Sequence, residues 1–207
     1  YGVCIALVPA LLASLWFFGL GAAIVLSVSV LSCVLFEWAI TKFLLKRPAC
    51  TICDGSAVLT GLLLGFNLPS NLPIWIIVIG ALVAIGIGKM TFGGLGQNPF
   101  NPALVGRVFL LLSFPAAMTT WDSAVKSGVD ATTSASIDAS SGATMLATLK
   151  SHGHQLDSSQ IDWWSLGIGD MNGCLGEVGS IAILIGLAYL LITRVITWHI
   201  PVAVIGA

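Results

Sequence analysis

The chain has 207 residues, of which 57% are hydrophobic and only 8% are charged. Its mean hydropathy is +1.01, and roughly 25% of the residues in a soluble domain are charged. A chain this apolar cannot cover itself with a polar surface, so its composition excludes an ordinary soluble enzyme and predicts a lipid bilayer as its surroundings. The net charge of −1 argues against a nucleic-acid partner, because no basic stripe is present to neutralise phosphates.

The first forty residues predict two membrane-spanning helices. Residues 1–18 and residues 20–39 are apolar runs of about the length that crosses a bilayer. Gly19 and Gly21 are expected to interrupt the helix between them. The second run is expected to end at Glu37, where the first acidic side chain occurs.

A short basic stretch follows the second run. Lys42, Lys46 and Arg47 occur with no acid between them, and short loops rich in lysine and arginine stay on the cytoplasmic side of a membrane. The loop 42–50 is therefore predicted to be cytoplasmic.

Cysteine and histidine spacings give little support to a metal site. Cys50 and Cys53 form a C-x-x-C, which is found in redox dithiols and in half of a zinc site. No matching second pair is present in the sequence, and His152 and His154 lack the further ligands that zinc needs. No metal is predicted, and the role of Cys50 and Cys53 stays open.

Two apolar segments are too short to cross a bilayer. Residues 54–66, with Asp54 as the expected N-cap, and residues 102–114 each predict a helix of about 12 residues, which extends about 18 Å at 1.5 Å per residue. The hydrocarbon core is about 30 Å thick. Asn101 before Pro102 is a strong signal for a helix start. Such half-helices occur in transporters, where their positively polarised N-termini face anions or carbonyl groups near the midplane.

Both half-helices carry residues that favour burial within protein. Gly61 and Gly65 form a G-x-x-x-G, which permits a neighbouring helix to approach closely. Arg107 lies in the second half-helix, where a charge in lipid is costly. It is expected to face a partner, a cofactor or an aqueous cavity, or else to snorkel to an interface.

The stretch between the half-helices predicts one more span and one irregular segment. Residues 74–88 are apolar and are expected to end as a span at Lys89. Residues 93–102 are rich in glycine, asparagine and proline. Irregular backbone at membrane depth is tolerated where it is buried in protein or lines a cavity.

Residues 115–165 form a long polar loop. Its five aspartates outnumber its two lysines: Asp122, Asp130, Asp138, Asp157 and Asp162 against Lys126 and Lys150. This acidity predicts an extracytoplasmic location. The run from Asp138 to Thr144 stands out, because a threonine hydroxyl flanked by small residues can be esterified by the phosphate of FMN. The same residues are also typical of an ordinary flexible turn.

Residues 166–207 are expected to re-enter the membrane. A glycine-rich segment leads to Glu177, residues 178–192 predict a span, and residues 195–207 begin another apolar segment. Because the chain begins and ends inside apolar runs, we expect it to be part of a longer membrane protein.

Three runs in this order resemble the NqrB/RnfD family: residues 54–64, residues 93–103, and the motif that ends at Thr144. That family comprises membrane subunits of the Rnf ion-translocating ferredoxin:NAD oxidoreductase and of the sodium-translocating NADH:quinone reductase. Residues 107–115 are more similar to the RnfD branch. Residues 172–177 depart from the family's usual Gly-Ser-Ile-Gly-Glu, although the final glutamate keeps its place.

The resemblance implies a covalent flavin on this chain. Thr144 would carry FMN through a phosphoryl ester on the extracytoplasmic side. Asp138, Ser141, Gly142 and Ala143 would complete the motif that a flavin transferase recognises.

Further roles follow from the resemblance together with the half-helices. Asn98, Asn101 and Arg107 are predicted to contribute to cofactor binding, and Asp54 and Glu177 are candidates for an ion pathway. A second, non-covalent flavin such as riboflavin stays open.

The sequence thus predicts an all-α, polytopic membrane bundle with discontinuous half-helices. Its function would be electron transfer within a Na⁺- or H⁺-translocating Rnf complex in a bacterial or archaeal plasma (inner) membrane, with other Rnf or Nqr subunits as partners. No complete catalytic site is predicted on this chain alone. The alternatives are an NqrB-type subunit, a solute channel or transporter with broken helices, and a structural scaffold.

Overall fold

The structure is a computed structural model that describes residues 2–45, 54–94, 96–120, 173–177 and 179–206. Within these ranges the chain is helical and has no strand, as the sequence predicts. The α-helices are α1 (Gly2–Ala6), α2 (Val8–Ala39), α3 (Ser56–Phe66), α4 (Ile74–Leu82), α5 (Pro102–Ser113), α6 (Pro115–Thr119), α7 (Ser180–Ile192) and α8 (His199–Gly206). Two π-helical segments, Ile40–Leu44 and Val83–Met90, continue α2 and α4.

Several predicted features lie outside the described residues. They are the end of the loop 42–50, the cysteines Cys50 and Cys53, most of the loop 115–165, and the flavin motif with Asp138, Ser141, Gly142, Ala143 and Thr144.

The outer surface of the described helices is strongly apolar. The helical stretch Gly2–Leu44 is long and apolar enough to cross a membrane, and four apolar helices of 10–17 residues accompany it. Leu20, Leu112 and Ile192 are 74%, 78% and 81% exposed. Soluble proteins rarely expose contiguous apolar patches of large area, whereas acyl chains solvate them. The chain is a membrane protein.

Gly19 interrupts α2. Its backbone angles, φ 56° and ψ −132°, leave the helical region, so the predicted interruption at Gly19 is confirmed. The predicted break at Gly21 is wrong, because Gly21 lies inside the helix. The residues before Gly19 run antiparallel to α7, with Ala6 against Gly186, while the residues after it pack on α3.

Helices α2 and α3 approach each other closely at the G-x-x-x-G. A Cβ added at Gly61 would lie 2.6 Å from the Cα of Val30, and one added at Gly65 would lie 2.8 Å from a methyl carbon of Leu26. Ser29 Oγ donates a buried hydrogen bond of 2.8 Å to the Gly61 carbonyl. The predicted close approach is confirmed, and the absent side chains permit an interhelical hydrogen bond.

A second contact joins α5 to α4 and its π-helical continuation. A Cβ added at Gly80 would lie 2.5 Å from a methyl carbon of Leu110, and one added at Gly88 would lie 3.0 Å from the Cα of Pro102, so both contacts are close. The core between these helices and α3 is mainly apolar, and its most enclosed apolar side chains include Leu64, Leu68, Ile77, Ile85, Leu110 and Leu175. This packing holds the start of α5 against the end of the π-helical segment.

Helices α3 and α5, which correspond to the two predicted half-helices, begin differently. Helix α3 starts at Ser56 with Gly55 as its N-cap at φ 73°, so the prediction that Asp54 caps it is wrong. Glycine adopts this left-handed conformation without the Cβ clash that disfavours aspartate. Helix α5 starts as predicted, because Asn101 Oδ1 accepts a hydrogen bond of 3.0 Å from the Ala103 amide.

Candidate functional site

Arg107 of α5 contacts the C-terminal end of α3. Its Nη1 donates a hydrogen bond of 2.7 Å to Asn67 Oδ1, and its Nη2 lies 3.7 Å from Cys174 Sγ. Asn67 Nδ2 in turn donates to the Leu63 carbonyl at 2.7 Å. The guanidinium group therefore contacts protein side chains. A protein partner was one of the alternatives expected for a charge in this half-helix.

The turn 173–177 docks on the same end of α3. The amides of Leu175 and Gly176 donate to the carbonyls of Leu68 and Phe66 at 3.3 and 2.8 Å. The last carbonyls of a helix have no partner within it, and backbone groups inside a membrane must find one. A Cβ at Gly176 would lie 2.6 Å from the Cβ of Phe66, so the turn fits because this residue is glycine.

We call Asn67, Arg107, Cys174 and Glu177 the Arg107 cluster. Glu177 is exposed, and its Oε2 accepts a hydrogen bond of 3.4 Å from the Cys174 amide. The cluster borders an open pocket of about 420 Å³. The other lining residues are Leu7, Ala10, Leu63, Phe66, Gly176 and Ile183. A mainly apolar pocket with a few convergent polar groups is the usual form of a small-molecule site.

The asparagines predicted to help bind a cofactor lie elsewhere. Asn101 borders a different, almost wholly apolar pocket of about 510 Å³ between α5 and the π-helical segment Val83–Met90. Its side-chain oxygen is already used to cap α5. Asn98 Nδ2 donates to the carbonyl of Phe100 at 2.7 Å. Of these two pockets in the described part of the chain, one is lined by Asn101 and the other by Arg107, and Asn98 lines neither.

Glu37 of α2 and Lys89 of the π-helical segment form a buried salt bridge. Lys89 Nζ lies 2.5 Å from Glu37 Oε2, and the two side chains are 2% and 0% exposed. Glu37 lies near the end of α2 at Ala39, and Lys89 lies next to the end of the π-helical segment at Met90. That two membrane spans end at these residues stays a prediction. The available signal was the presence of two opposite charges next to apolar runs, but nothing in the local sequence pairs them.

Ser56 links this salt bridge to Asp54. Lys89 Nζ also donates to Ser56 Oγ at 2.6 Å, and Ser56 Oγ donates to Asp54 Oδ1 at 3.1 Å. Asp54 itself is exposed. Of the two candidates for an ion pathway, Asp54 is therefore connected to the buried pair, while Glu177 belongs to the Arg107 cluster.

A sequence model of the NQR2, RnfD, RnfE family matches residues 1–207. The chain belongs to this family. The match covers the two short helices, the Arg107 cluster and the buried salt bridge, and it confirms the family resemblance that residues 54–64 and 93–103 indicate.

Curated relatives are similar along nearly the whole chain. The chain is 39% identical over 211 residues to the D subunit of the proton-translocating ferredoxin:NAD(+) oxidoreductase complex of Clostridium ljungdahlii, covering 100% of this chain and 61% of that protein. It is 45% identical over 199 residues to the Na(+)-translocating counterpart of Acetobacterium woodii, covering 96% and 58%. It is 37% identical over 226 residues to the D subunit of the ion-translocating oxidoreductase complex of Escherichia coli, covering 97% and 64%. The chain thus spans less than two thirds of the length of these relatives.

Proposed function

We propose that this chain is the flavin-bearing membrane subunit of a redox-driven ion pump of the Rnf type. The support is family membership over residues 1–207 together with relatives that are named as the D subunits of ion-translocating oxidoreductase complexes. One relative is named for protons and another for Na⁺. The proposal therefore specifies a monovalent cation and leaves its identity to measurement.

Thr144 is proposed to hold FMN covalently. Its hydroxyl oxygen would form an ester bond to the flavin phosphate, with the net loss of one water molecule. Ser141, Gly142 and Ala143 are small, so a flavin transferase can reach the hydroxyl, and Asp138 completes the motif. Bound FMN supplies one- and two-electron chemistry, and the chain's contribution is to place and tune the ring. This motif is the observation that carries the flavin part of the proposal.

Electrons are proposed to enter and leave through partner subunits. The described residues contain two short helices that fit a site inside a membrane, and the sequence predicts no complete catalytic site on this chain alone. Asn101 and Arg107 line different pockets, and a second, non-covalent flavin stays a prediction.

Mass spectrometry of the chain tests the covalent link. The chain is produced together with a flavin transferase, and cleavage after Lys126 and Lys150 isolates residues 127–150. We expect this peptide to carry the mass of one FMN minus one water, and fragmentation to locate the added mass on Thr144.

The broken-helix transporter is the second candidate, and the shortness of α3 and α5 favours it. At about 16 and 18 Å, neither helix crosses a bilayer alone. A transporter of this kind would leave the 127–150 peptide unmodified even where the transferase is active. That result would contradict the proposed flavin subunit.

A further inference from the structure

Arg194 occupies a backbone position that favours glycine. Helix α7 ends in two hydrogen bonds of 3.1 Å, from the Arg194 amide to the Leu191 carbonyl and from the Val195 amide to the Leu190 carbonyl. This is the Schellman pattern, in which the residue after the C-cap is left-handed and is usually glycine. Arg194 has φ 55° and is the one non-glycine residue with a positive φ in the described part of the chain. Its Cβ makes this conformation costly, so the turn alone does not explain an arginine here.

The charge of Arg194 is not used by the described residues. The side chain is exposed, and its guanidinium group has neither a hydrogen-bond partner nor an acidic partner among them. A cation near the C-terminus of a helix interacts favourably with the helix dipole. An arginine in the last turn of α7 would have the same benefit with an ordinary helical backbone. The dipole therefore does not explain why the arginine lies at the left-handed position.

Arg194 lines a pocket of about 420 Å³ between the end of α7 and the start of α8. The other lining residues are Leu191, Ile196, Thr197, Trp198 and His199, none of which is acidic. The rings of Trp198 and His199 stack with their centroids 4.1 Å apart and their planes at 27°. The guanidinium group, the threonine hydroxyl and the indole N–H are hydrogen-bond donors, and the first amides of a helix have no partner within it. The pocket thus combines a positive charge with several donors, which suits an anion.

Apolar side chains surround this pocket on the outside of the protein. Ile192, Val195 and Ile200 are all exposed, as is Trp198. On a membrane protein such aliphatic side chains lie against acyl chains, and tryptophan is typical of the level of the lipid headgroups. Basic pockets between membrane helices are known as sites for anionic lipid headgroups. The neighbouring surface therefore favours an anion that carries acyl chains.

We propose that this pocket, which we call the Arg194 pocket, binds the phosphodiester group of an anionic phospholipid. Arg194 donates to the phosphate oxygens, because its planar fork matches two of them, and the acyl chains lie along Ile192, Val195 and Ile200. The phosphate supplies the negative charge that Arg194 lacks among the described residues, and its binding offsets the strained backbone at the turn. This goes beyond the proposed function, since the membrane itself provides the ligand and neither the flavin nor the translocated cation is involved.

The test uses the full-length protein purified in detergent, with native mass spectrometry to count the phospholipid molecules that stay bound. The protein is titrated with phosphatidylglycerol, which carries one net negative charge, and with phosphatidylcholine, whose phosphodiester is balanced by a choline cation. We expect the affinity for phosphatidylglycerol to be higher by about fivefold or more. Equal affinities for the two lipids would overturn the proposal.

The variant Arg194→Gly removes the charge and relieves the left-handed conformation. We expect its affinity for phosphatidylglycerol to fall by about fivefold or more, while its unfolding temperature without added lipid is unchanged or higher. Lys42→Met is the matched control, because Lys42 is an exposed cation that does not line this pocket. It should bind phosphatidylglycerol as the native protein does. Native affinity in Arg194→Gly would overturn the proposal.

A second neutral variant covers the case in which glycine loosens the turn. Asparagine is tolerated in the left-handed region, so Arg194→Asn should keep the fold and lose affinity to the same extent, and native affinity in this variant would also overturn the proposal. Inorganic phosphate separates a lipid from a free anion as the source of the phosphate group. We expect it not to displace phosphatidylglycerol at equal concentration. Displacement at equal concentration would assign the pocket to a free anion and contradict a lipid site.

Discussion

Lys89 and Glu37 neutralise each other inside the fold, so removing one side chain leaves the other charge buried without a partner. Breaking a buried pair in this way costs about 3–5 kcal/mol. We expect Lys89→Met to lower the free energy of unfolding by about this amount, and Glu37→Leu/Lys89→Met to recover most of the loss. Denaturant unfolding of the purified chain in detergent measures both.

Lys42→Met is the matched control for this experiment. Lys42 is exposed, with its Nζ 4.9 Å from the ring centroid of Trp38. Its replacement should change the free energy of unfolding by about 0.5 kcal/mol or less. Equal losses in the single and double variants of the buried pair would show that charge compensation does not stabilise the site.

Asp54 is the exposed end of the hydrogen-bonded line from Lys89. Asp54→Asn removes the negative charge of this candidate ion-pathway residue but keeps an oxygen that can accept the Ser56 hydrogen bond. We expect cation uptake per electron to fall by about tenfold, because an amide carries no negative charge to attract a cation, while the flavin stays attached. Vesicle uptake and in-gel flavin fluorescence measure the two effects, and unchanged uptake would remove Asp54 from the pathway.

At the scale of elements, the contact between α2 and α3 depends on the absence of a side chain at Gly61. Gly61→Ala would place a Cβ 2.6 Å from the Cα of Val30, which is backbone and cannot rotate away. We expect a loss of about 1–3 kcal/mol from the resulting helix displacement, measured as unfolding in detergent. Gly86→Ala is the control, since its Cβ would meet nothing closer than 3.8 Å. An equal loss in both variants would point to helix propensity rather than close packing.

Residues that are close together in the sequence were enough to predict most of the helices. The short helices, the Asn101 cap and the close approach at Gly61 and Gly65 all depend on residues within a few positions of one another. The N-cap of α3 was missed because the left-handed conformation of Gly55 outweighs the capping preference of its neighbour Asp54.

Contacts between distant segments could not be predicted in the same way. Glu37 and Lys89 are 52 residues apart, and the turn 173–177 reaches α3 across more than a hundred residues. No periodicity or spacing specifies such partners. The sequence therefore predicted which residues belong to the candidate site. That Arg107 and Asn101 line two different pockets could be learned only from the fold.

At the scale of the whole molecule, the flavin motif is bracketed by two anchored segments. The motif lies in sequence between α6, which ends at Thr119, and the turn 173–177. That turn is fastened to the end of α3 beside Arg107. Membrane helices that fix the base of a flavin-bearing segment would limit how far the flavin can move, which suits electron transfer between fixed partners.

The central claim is that Thr144 carries a covalent flavin, and fluorescence of the denatured chain on a gel under ultraviolet light tests it most directly. The native chain, Thr144→Ala and Thr148→Ala are produced in a host whose flavin transferase is shown to be active. We predict fluorescent bands for the native chain and for Thr148→Ala, and a dark band for Thr144→Ala. A dark native band, or fluorescence that survives in Thr144→Ala, would contradict the claim.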